Sequence, residues 1–359
     1  MHPRDLSSHA AYEAGRGTEE VARELGLDPD SLVKLASNEN PLGPSPAAVE
    51  AIRAHADRIH TYPKASHADL TAELAALWEL SPSQVWLANG GDGALDYLAR
   101  ATIDPGDRVL VPEPGFAYYG MSARFHHGEV TTYPVSKTEG FEQRAEKILA
   151  DYDGERIVYL TSPHNPTGSE IALPEVEELA DRTEEETLIV VDEAYGEFSD
   201  RPSAVSLVET RDDVAVLRTF SKVYGLAGLR LGYALVPESW ADAYTRVNTP
   251  FAASEIACRA GLAALDDTEH VERSIEVARD ARERMYERLD APTWESAGNF
   301  VLAEVGDASA VSDRLRERGV IVRDCTSFRL PECIRITCGT EAETRRAITE
   351  CNEILRGAT

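Results

Sequence analysis

The sequence predicts an α/β fold in which a large, mostly parallel β-sheet is covered by helices and is accompanied by a smaller α+β domain. Four segments, residues 108–116, 156–168, 187–195 and 214–222, each begin with a short apolar run typical of a buried strand. Helical stretches such as "LPEVEELADRTEEE" lie between them, and this alternation favours a parallel sheet. From about residue 255 the pattern changes to a long helical stretch followed by "NFVLAEV", "GVIVRD" and "CIRITCGT", which predict the strands of the second domain.

Length and composition limit the class of protein. The chain has 359 residues, 43% hydrophobic and 28% charged, which is enough for one large core and a smaller one. The start "MHPRDLSSHA" lacks the apolar core of a signal peptide, and no apolar run reaches the roughly 18 residues that cross a membrane. We therefore expect a cytoplasmic protein that does not associate with membranes. The five cysteines form no CxxC pair, so we expect buried free thiols and no bound metal.

The charge of the chain is strongly negative. Its net charge is -27, the 63 acidic residues are spread along the whole length, and only five lysines accompany 31 arginines. This pattern resembles the surfaces of proteins from extreme halophiles, in which salt screens the repulsion among carboxylates. The same charge argues against nucleic-acid binding.

Chemically useful side chains follow the predicted strands. Ligands of open parallel sheets bind beyond the carboxyl ends of the strands. The residues at those ends are Phe116, Asn165, Asp192 with Tyr195, and Ser221 with Lys222. In "QVWLANGGDGALDYLAR" the amides of Gly91 and Asp92 near a helix start could hold a phosphate, although this motif alone more often marks a tight turn and a helix cap. An aromatic ring, an amide, a carboxylate, an amine and a phosphate cradle together predict pyridoxal 5'-phosphate as the cofactor.

Five segments in a fixed order carry a family resemblance. They are "SNENPLGPS", "SPHNPTG", "VDEAY", "SKVYGLAGLRLGY" and "IRITCGT". With them the chain resembles the fold-type I, class II aminotransferases from about residue 10 to its end, and within them the enzymes that act on histidinol phosphate. The resemblance implies a homodimer with active sites between the subunits. It also implies an N-terminal arm (1–35) that contributes to the small domain, a large cofactor-binding domain (36–254) and a small C-terminal domain (255–359).

The resemblance implies a role for each residue around the cofactor. Lys222 binds the cofactor covalently and later, as a free amine, shuttles the substrate proton. Arginine could not replace it, because a guanidinium stays protonated. Asp192 faces the protonated ring nitrogen, which offsets the cost of burying a carboxylate after an apolar strand; a helix cap is the alternative. Tyr195 and Asn165 bind the 3'-oxygen of the cofactor, and a bend is implied between Asn165 and Pro166.

The phosphate and the ring of the cofactor involve further residues under the same resemblance. Arg230 pairs with the phosphate, and Ser221 donates a hydroxyl to it. Phe116 stacks on the ring where many relatives carry tyrosine. Without the family, a salt-bridged surface arginine and a core phenylalanine are the plainer interpretations of Arg230 and Phe116.

Substrate binding is implied for four residues and a contact across the dimer for a fifth. Arg335 is the guanidinium that meets a substrate carboxylate or phosphate, and Arg323 is a second anion site. Tyr12 and Asn40 lie at the substrate pocket, whereas Tyr62 reaches the cofactor phosphate of the other subunit. The alternatives are a strand-edge ion pair for Arg323, packing for the two tyrosines, and a turn role for Asn40.

Two departures from the family pattern bear on specificity. Ala11 and Gly17 stand where prolines are common in the N-terminal arm. Arg329 stands where glycine is frequent, and it adds charge close to the expected anion pocket.

The implied activity is amino-group exchange between L-histidinol phosphate and 2-oxoglutarate in histidine biosynthesis. Two sibling activities share the scaffold: an aromatic amino-acid aminotransferase and a threonine-phosphate decarboxylase. A non-catalytic regulator domain that binds pyridoxal phosphate is an alternative of another class, but such proteins usually carry a basic DNA-binding module, for which this acidic chain has no room.

The acidic surface predicts a dependence on salt. The thermal midpoint should rise steeply between low and molar potassium chloride, because screening relieves the repulsion among carboxylates. A midpoint that is flat or falls over that range would contradict the interpretation of the charge as a salt adaptation.

Overall fold

The computed structural model describes residues 6–7, 9, 18–26, 28–64 and 67–357. The strands in chain order are β1 (Val33–Leu35), β2 (Val85–Asn89), β3 (Arg108–Glu113), β4 (Glu129–Pro134), β5 (Ile157–Thr161), β6 (Leu188–Asp192), β7 (Val214–Thr219), β8 (Leu231–Leu235), β9 (Phe300–Glu304), β10 (Val320–Asp324) and β11 (Cys333–Thr337). The helices are α1 (Thr18–Leu25), α2 (Pro46–His55), α3 (Ala68–Leu77), α4 (Gly90–Thr102), α5 (Tyr118–Phe125), α6 (Ala145–Asp151), α7 (Leu173–Arg182), α8 (Val205–Val208), α9 (Tyr244–Val247), α10 (Glu255–Asp266), α11 (Thr268–Arg288), α12 (Ala308–Glu317) and α13 (Glu341–Arg356).

The larger sheet has the strand order β2-β8-β7-β6-β5-β3-β4. β8 runs antiparallel to β2 and β7, and the other neighbours pair in parallel. Every residue of β5 and β6 is buried. Tyr159 and Val190 enter a hydrophobic cluster on one face of the sheet, and Leu160 and Val191 enter a cluster on the other. Continuous apolar runs predict a sheet covered on both faces, so the predicted fold class is confirmed.

The smaller sheet combines both ends of the chain in the order β1-β10-β11-β9. β1 pairs in parallel with β10, whereas β11 is antiparallel to β10 and β9. Helix α12 packs on β10, and α11 packs against α13. All five cysteines are buried free thiols, as predicted. Within the described part of the chain, no helix has both the length and the apolarity needed to cross a membrane.

Two close backbone contacts require glycine and bring the loops around the sheet edge together. A Cβ on Gly232 in β8 would lie 2.6 Å from the carbonyl carbon of Gly90 and 2.7 Å from the amide nitrogen of Gly91. A Cβ on Gly225, whose φ is +69°, would overlap the carbonyl oxygen of Gly43. The first contact fixes the start of α4 against β8. The second fixes the loop before α2 against the loop after β7.

Replacement of Gly232 by alanine should destabilise the protein by about 1–3 kcal/mol, because the added methyl group must displace the backbone at the start of α4. Gly228 is the matched control, since a Cβ there meets no atom within 4 Å. Thermal unfolding of both variants at one potassium chloride concentration measures the difference. Equal midpoints for Gly232→Ala and Gly228→Ala would contradict the prediction.

Candidate active site

A cavity of about 450 Å³ lies between the carboxyl edge of the larger sheet and strands β10 and β11. Most of the site residues predicted from the sequence line it. They are Gly91, Asp92, Phe116, Asn165, Asp192, Tyr195, Ser221, Lys222, Arg230, Arg323 and Arg335. The strands β3, β5, β6 and β7 are parallel, and their carboxyl ends meet at one edge of the sheet. This topology brings together Phe116, Asn165, Asp192, Tyr195, Ser221 and Lys222.

Asp192 is the most deeply buried charged group on the larger sheet's side of the cavity, with a 5% exposed side chain at the end of β6. Its Oδ2 accepts a hydrogen bond from the Tyr119 hydroxyl at 2.6 Å, and its Oδ1 accepts one from the Ala194 amide at 2.9 Å. Burial raises the pKa of Asp192 to about 6 despite these bonds, since desolvation penalises the charged form. A cation placed beside this carboxylate would be strongly stabilised.

Lys222 lines the cavity from the loop after β7. Its Nζ is 3.5 Å from the carbonyl oxygen of Ser37 and 5.3 Å from the centre of the Tyr195 ring. The Tyr195 hydroxyl in turn accepts a hydrogen bond from Asn38 Nδ2 at 2.9 Å. The amine and the phenol therefore lie side by side in the cavity.

The start of α4 and the loop before β8 form a cradle around the Arg230 guanidinium. Arg230 Nη2 is 3.2 Å from Asp92 Oδ2, and Nη1 is 3.5 Å from Ser221 Oγ. Gly90 has φ +79°, and a Cβ there would overlap Nη2 of Arg230. Burial raises the pKa of Asp92, although Arg230 opposes the shift. The "GGDG" motif thus makes the tight turn and also leaves the space in which the guanidinium lies.

Arg323 and Arg335 lie directly opposite each other on the antiparallel strands β10 and β11, so both side chains leave the same face of the smaller sheet. Arg335 donates to Asn165 Oδ1 from Nη1 and to the Ala36 carbonyl at 2.8 Å from Nη2. Arg323 Nη2 donates to Ser327 Oγ at 3.0 Å. The arrangement presents two guanidinium groups to one cavity. The Asn165–Pro166 peptide is cis, which gives the bend that the resemblance implied.

Asn40 does not line this cavity, and its side chain is used within the fold, so its predicted role at the substrate pocket stays a prediction. Its Nδ2 donates to the Val223 carbonyl at 2.7 Å and to Ser274 Oγ at 2.9 Å, and its Oδ1 accepts from the Leu42 amide. Asn38, two residues earlier, lines the cavity instead.

Two further predicted residues lie elsewhere. Tyr62 is 83% exposed and stacks on Phe251 with ring centres 4.8 Å apart, in a separate cleft of about 730 Å³. Its predicted contact with another subunit stays a prediction. Tyr12 lies outside the described residues.

Sequence reasoning missed Tyr119 and Asn38. Tyr119 lies three residues after Phe116, within α5, where a buried aromatic residue is equally typical of a core. Asn38 has φ +54°, a left-handed conformation that asparagine tolerates better than most residues. Neither feature identifies a site before the tertiary contacts are known.

These residues fit pyridoxal phosphate on two observations. The buried Asp192 carboxylate has a raised pKa and needs a cationic partner, which a protonated ring nitrogen supplies. The Arg230 cradle at the positive end of α4 suits a phosphate group.

Comparison with known proteins agrees with a site for pyridoxal phosphate. The family model described as "Aminotransferase class I and II" matches residues 30–350. The chain is 69% identical over 355 residues to the histidinol-phosphate aminotransferase of Haloarcula marismortui, covering 99% of each chain. It is 43% identical to that of Symbiobacterium thermophilum over 344 residues, 94% of each chain. Among solved structures, histidinol-phosphate aminotransferase from Sinorhizobium meliloti in complex with pyridoxal-5'-phosphate has a TM-score of 0.88 and 29% identity, with 96% of each chain covered.

The raised pKa of Asp192 predicts a pH-dependent effect of Asp192→Asn on the cofactor-free protein. The pKa of Asp192 is about 6 in the folded chain and 3.8 in the unfolded chain. The contribution of Asp192 to the stability of the fold is therefore largest below pH 3.8 and is lost as the pH rises through about 6. Above that pH the variant should be more stable than the natural protein by about 2–3 kcal/mol, because it has no charge to desolvate.

Thermal unfolding of both cofactor-free proteins between about pH 4 and pH 8, at constant potassium chloride, measures this difference. It should be small at the acidic end and should disappear or reverse at pH 8 when pyridoxal phosphate is added. A difference of the same size at every pH would show that the carboxylate is not strained by burial.

Proposed function

The chain belongs to the class I and II aminotransferase family, and from this premise we propose that it exchanges an amino group between L-histidinol phosphate and 2-oxoglutarate in histidine biosynthesis. One observation carries the choice of substrate: the cross-strand pair Arg323 and Arg335 faces the same cavity as the Lys222 amine. Histidinol phosphate has an amine and a phosphate dianion, and glutamate has an amine and two carboxylates. One pair of guanidinium groups can serve both donors.

The cofactor is pyridoxal 5'-phosphate, which when bound withdraws electrons from the Cα atom of the substrate amine. We propose that Asp192 holds its ring nitrogen, that Asn165 and Tyr195 bind its 3'-oxygen, and that Phe116 covers one face of its ring. Its phosphate would be held by the amides of Gly91 and Asp92, the hydroxyl of Ser221 and the guanidinium of Arg230. The Arg230 and Asp92 side chains are 43% and 44% exposed, so solvent screens part of their attraction and leaves the guanidinium able to bind a second anion.

Lys222 is the nucleophile and the proton carrier. Its Nζ would hold the cofactor covalently when the cofactor is bound, and as a free amine Nζ would take the proton from the substrate Cα. The neighbouring Tyr195 ring and Ser37 carbonyl keep the amine at the cavity wall. Lysine is needed at this position because a guanidinium does not give up its proton near neutral pH.

The proposal includes a homodimer in the cytoplasm, with Tyr62 of each chain at the cofactor phosphate of the other. Tyr62 and Ile59 are exposed and line one cleft, and the exposed Phe251 stacks on Tyr62, so this patch suits burial against a second copy. Tyr12 remains a proposed substrate residue. The proposed division into an arm (1–35), a large domain (36–254) and a small domain (255–359) is supported by the pairing of β1 with β10.

The test compares L-histidinol phosphate, histidinol and phenylalanine as amino donors to 2-oxoglutarate at one potassium chloride concentration. Histidinol phosphate should have the highest kcat/KM, and Lys222→Ala should abolish turnover. Arg335→Ala should lower kcat/KM by about one to two orders of magnitude for both histidinol phosphate and glutamate, because a charge-assisted hydrogen bond is worth about 1.5–3 kcal/mol.

Other outcomes assign the sibling functions. A preference for phenylalanine indicates an aromatic aminotransferase, and release of carbon dioxide from threonine phosphate indicates a decarboxylase. Pyridoxal phosphate binding without turnover of any donor indicates a regulator domain. The proposal also fails if Lys222→Ala retains the natural rate.

A further inference from the structure

The turn after β10, formed by residues 326–329, contacts both guanidinium groups of the cavity. Ser327 Oγ accepts the 3.0 Å hydrogen bond from Arg323, and the Phe328 ring centre is 5.5 Å from Arg323 Cζ and 5.9 Å from Arg335 Cζ. Ser327 and Phe328 also line the cavity. The 326–329 turn therefore holds Arg323 and covers one side of Arg335, which is also held by Asn165 and the Ala36 carbonyl.

The Phe328 ring offsets the repulsion between the two arginines. Two like charges opposite each other on neighbouring strands repel, and the face of an aromatic ring attracts a guanidinium group. A shift of the ring would change the distance between the two cations, and with it their fit to a phosphate dianion.

Arg329 ends the turn and ties it to the larger sheet. Its Nη1 is 2.7 Å from Oε2 of Glu113, the last residue of β3. Glu113 lies two residues before Gly115, which lines the cavity, so the ion pair joins the 326–329 turn to the segment that leads into the Gly115 side of the cavity. Arg329 does not line the cavity itself, and its charge is paired rather than added to the anion site.

The backbone conformation of Arg329 is one that favours glycine, which indicates that the arginine side chain makes a contact that glycine could not. Its φ is +62°, a left-handed conformation that favours glycine and is unfavourable for arginine. Glycine would make the same turn without that cost but could not contact Glu113. The ion pair is the one feature of the turn that requires the longer side chain.

We propose that Arg329 is a positioning residue for anion recognition: through Glu113 it fixes the 326–329 turn, and through Ser327 and Phe328 it fixes Arg323 and Arg335. The inference rests on the proposed function only in taking the bound anion to be the phosphate of the amino donor.

A second bridge between the two sheets provides a matched control. Lys137, after β4, is 2.8 Å from Glu304, the last residue of β9, and 2.8 Å from Glu332, the residue before β11. None of these three residues lines the cavity. Removal of the Lys137 charge weakens the contact between the two sheets and changes no residue of the 326–329 turn.

The experiment uses enzyme loaded with pyridoxal phosphate and the variants Arg329→Gly, Glu113→Gln, their double variant, and Lys137→Gln. Calorimetric titration with inorganic phosphate gives a Kd that does not depend on turnover, and steady-state kinetics with histidinol phosphate give kcat and KM. Arg329→Gly keeps the turn, since glycine accepts the same φ, and Glu113→Gln keeps the shape of the partner.

Arg329→Gly and Glu113→Gln should each raise the Kd for phosphate and the KM for histidinol phosphate about two- to fivefold, the range of an exposed ion pair, with kcat unchanged. The double variant should be no worse than either single one, because the two act as a unit. The effect should shrink as potassium chloride increases, since the Arg329 side chain is 76% exposed and is screened by salt. Lys137→Gln should leave both constants unchanged.

Unchanged phosphate Kd in both single variants at the lowest salt that keeps the protein folded overturns the proposal. So does an equal rise in Lys137→Gln, which would place the effect in the contact between the sheets, or a fall in kcat with KM unchanged. Failure of the natural enzyme to prefer histidinol phosphate rejects the proposed function alone, because the phosphate titration still reports on the turn.

Discussion

Burial of the Asp192 carboxylate is the constraint on which the rest of the site depends. The strand that carries it is buried throughout, and two hydrogen bonds, from Tyr119 and from the Ala194 amide, replace the water that the carboxylate loses. They leave its pKa raised, so the charged form retains a desolvation cost that a nearby cation would offset. A fold that keeps such a cost in the absence of a ligand is shaped for one that carries positive charge at this position.

The turn after Asp192 is also held from behind the sheet. Arg218 of β7 is buried, contacts Glu193 and Glu197 at 3.2 Å each, and lies 4.5 Å from the centre of the Trp78 ring. A Cβ on Gly196 would overlap the guanidinium of Arg218. Loss of one partner from such a cluster leaves an uncompensated buried charge, which is strongly destabilising. The cluster therefore limits the conformations open to Asp192 and Tyr195 without entering the cavity.

The sequence allowed the fold class and the residues at the strand ends to be predicted, because buried parallel strands have a recognisable pattern and their carboxyl ends meet. Asn165, Asp192 and Lys222 were found in this way. Asn38 was not, because it lies in a loop without periodicity and bonds with Thr337, 299 positions away. Its neighbour Asn40 has the same chemistry, and only the tertiary contacts show which of the two faces the cavity.

Cationic side chains are concentrated at the cavity although the chain as a whole is strongly acidic. Four cationic side chains line the cavity of a protein with a net charge of -27: Lys222, Arg230, Arg323 and Arg335. In molar salt the Debye length is only about 3 Å, so attraction between distant charges is lost and an anionic substrate is recognised only by groups that touch it. A cross-strand pair of guanidinium groups held by an aromatic ring meets that requirement, because its selectivity comes from hydrogen-bond geometry at contact. The acidic surface and the cationic cavity can therefore coexist, since at such salt concentrations the surface no longer repels the substrate that the cavity binds.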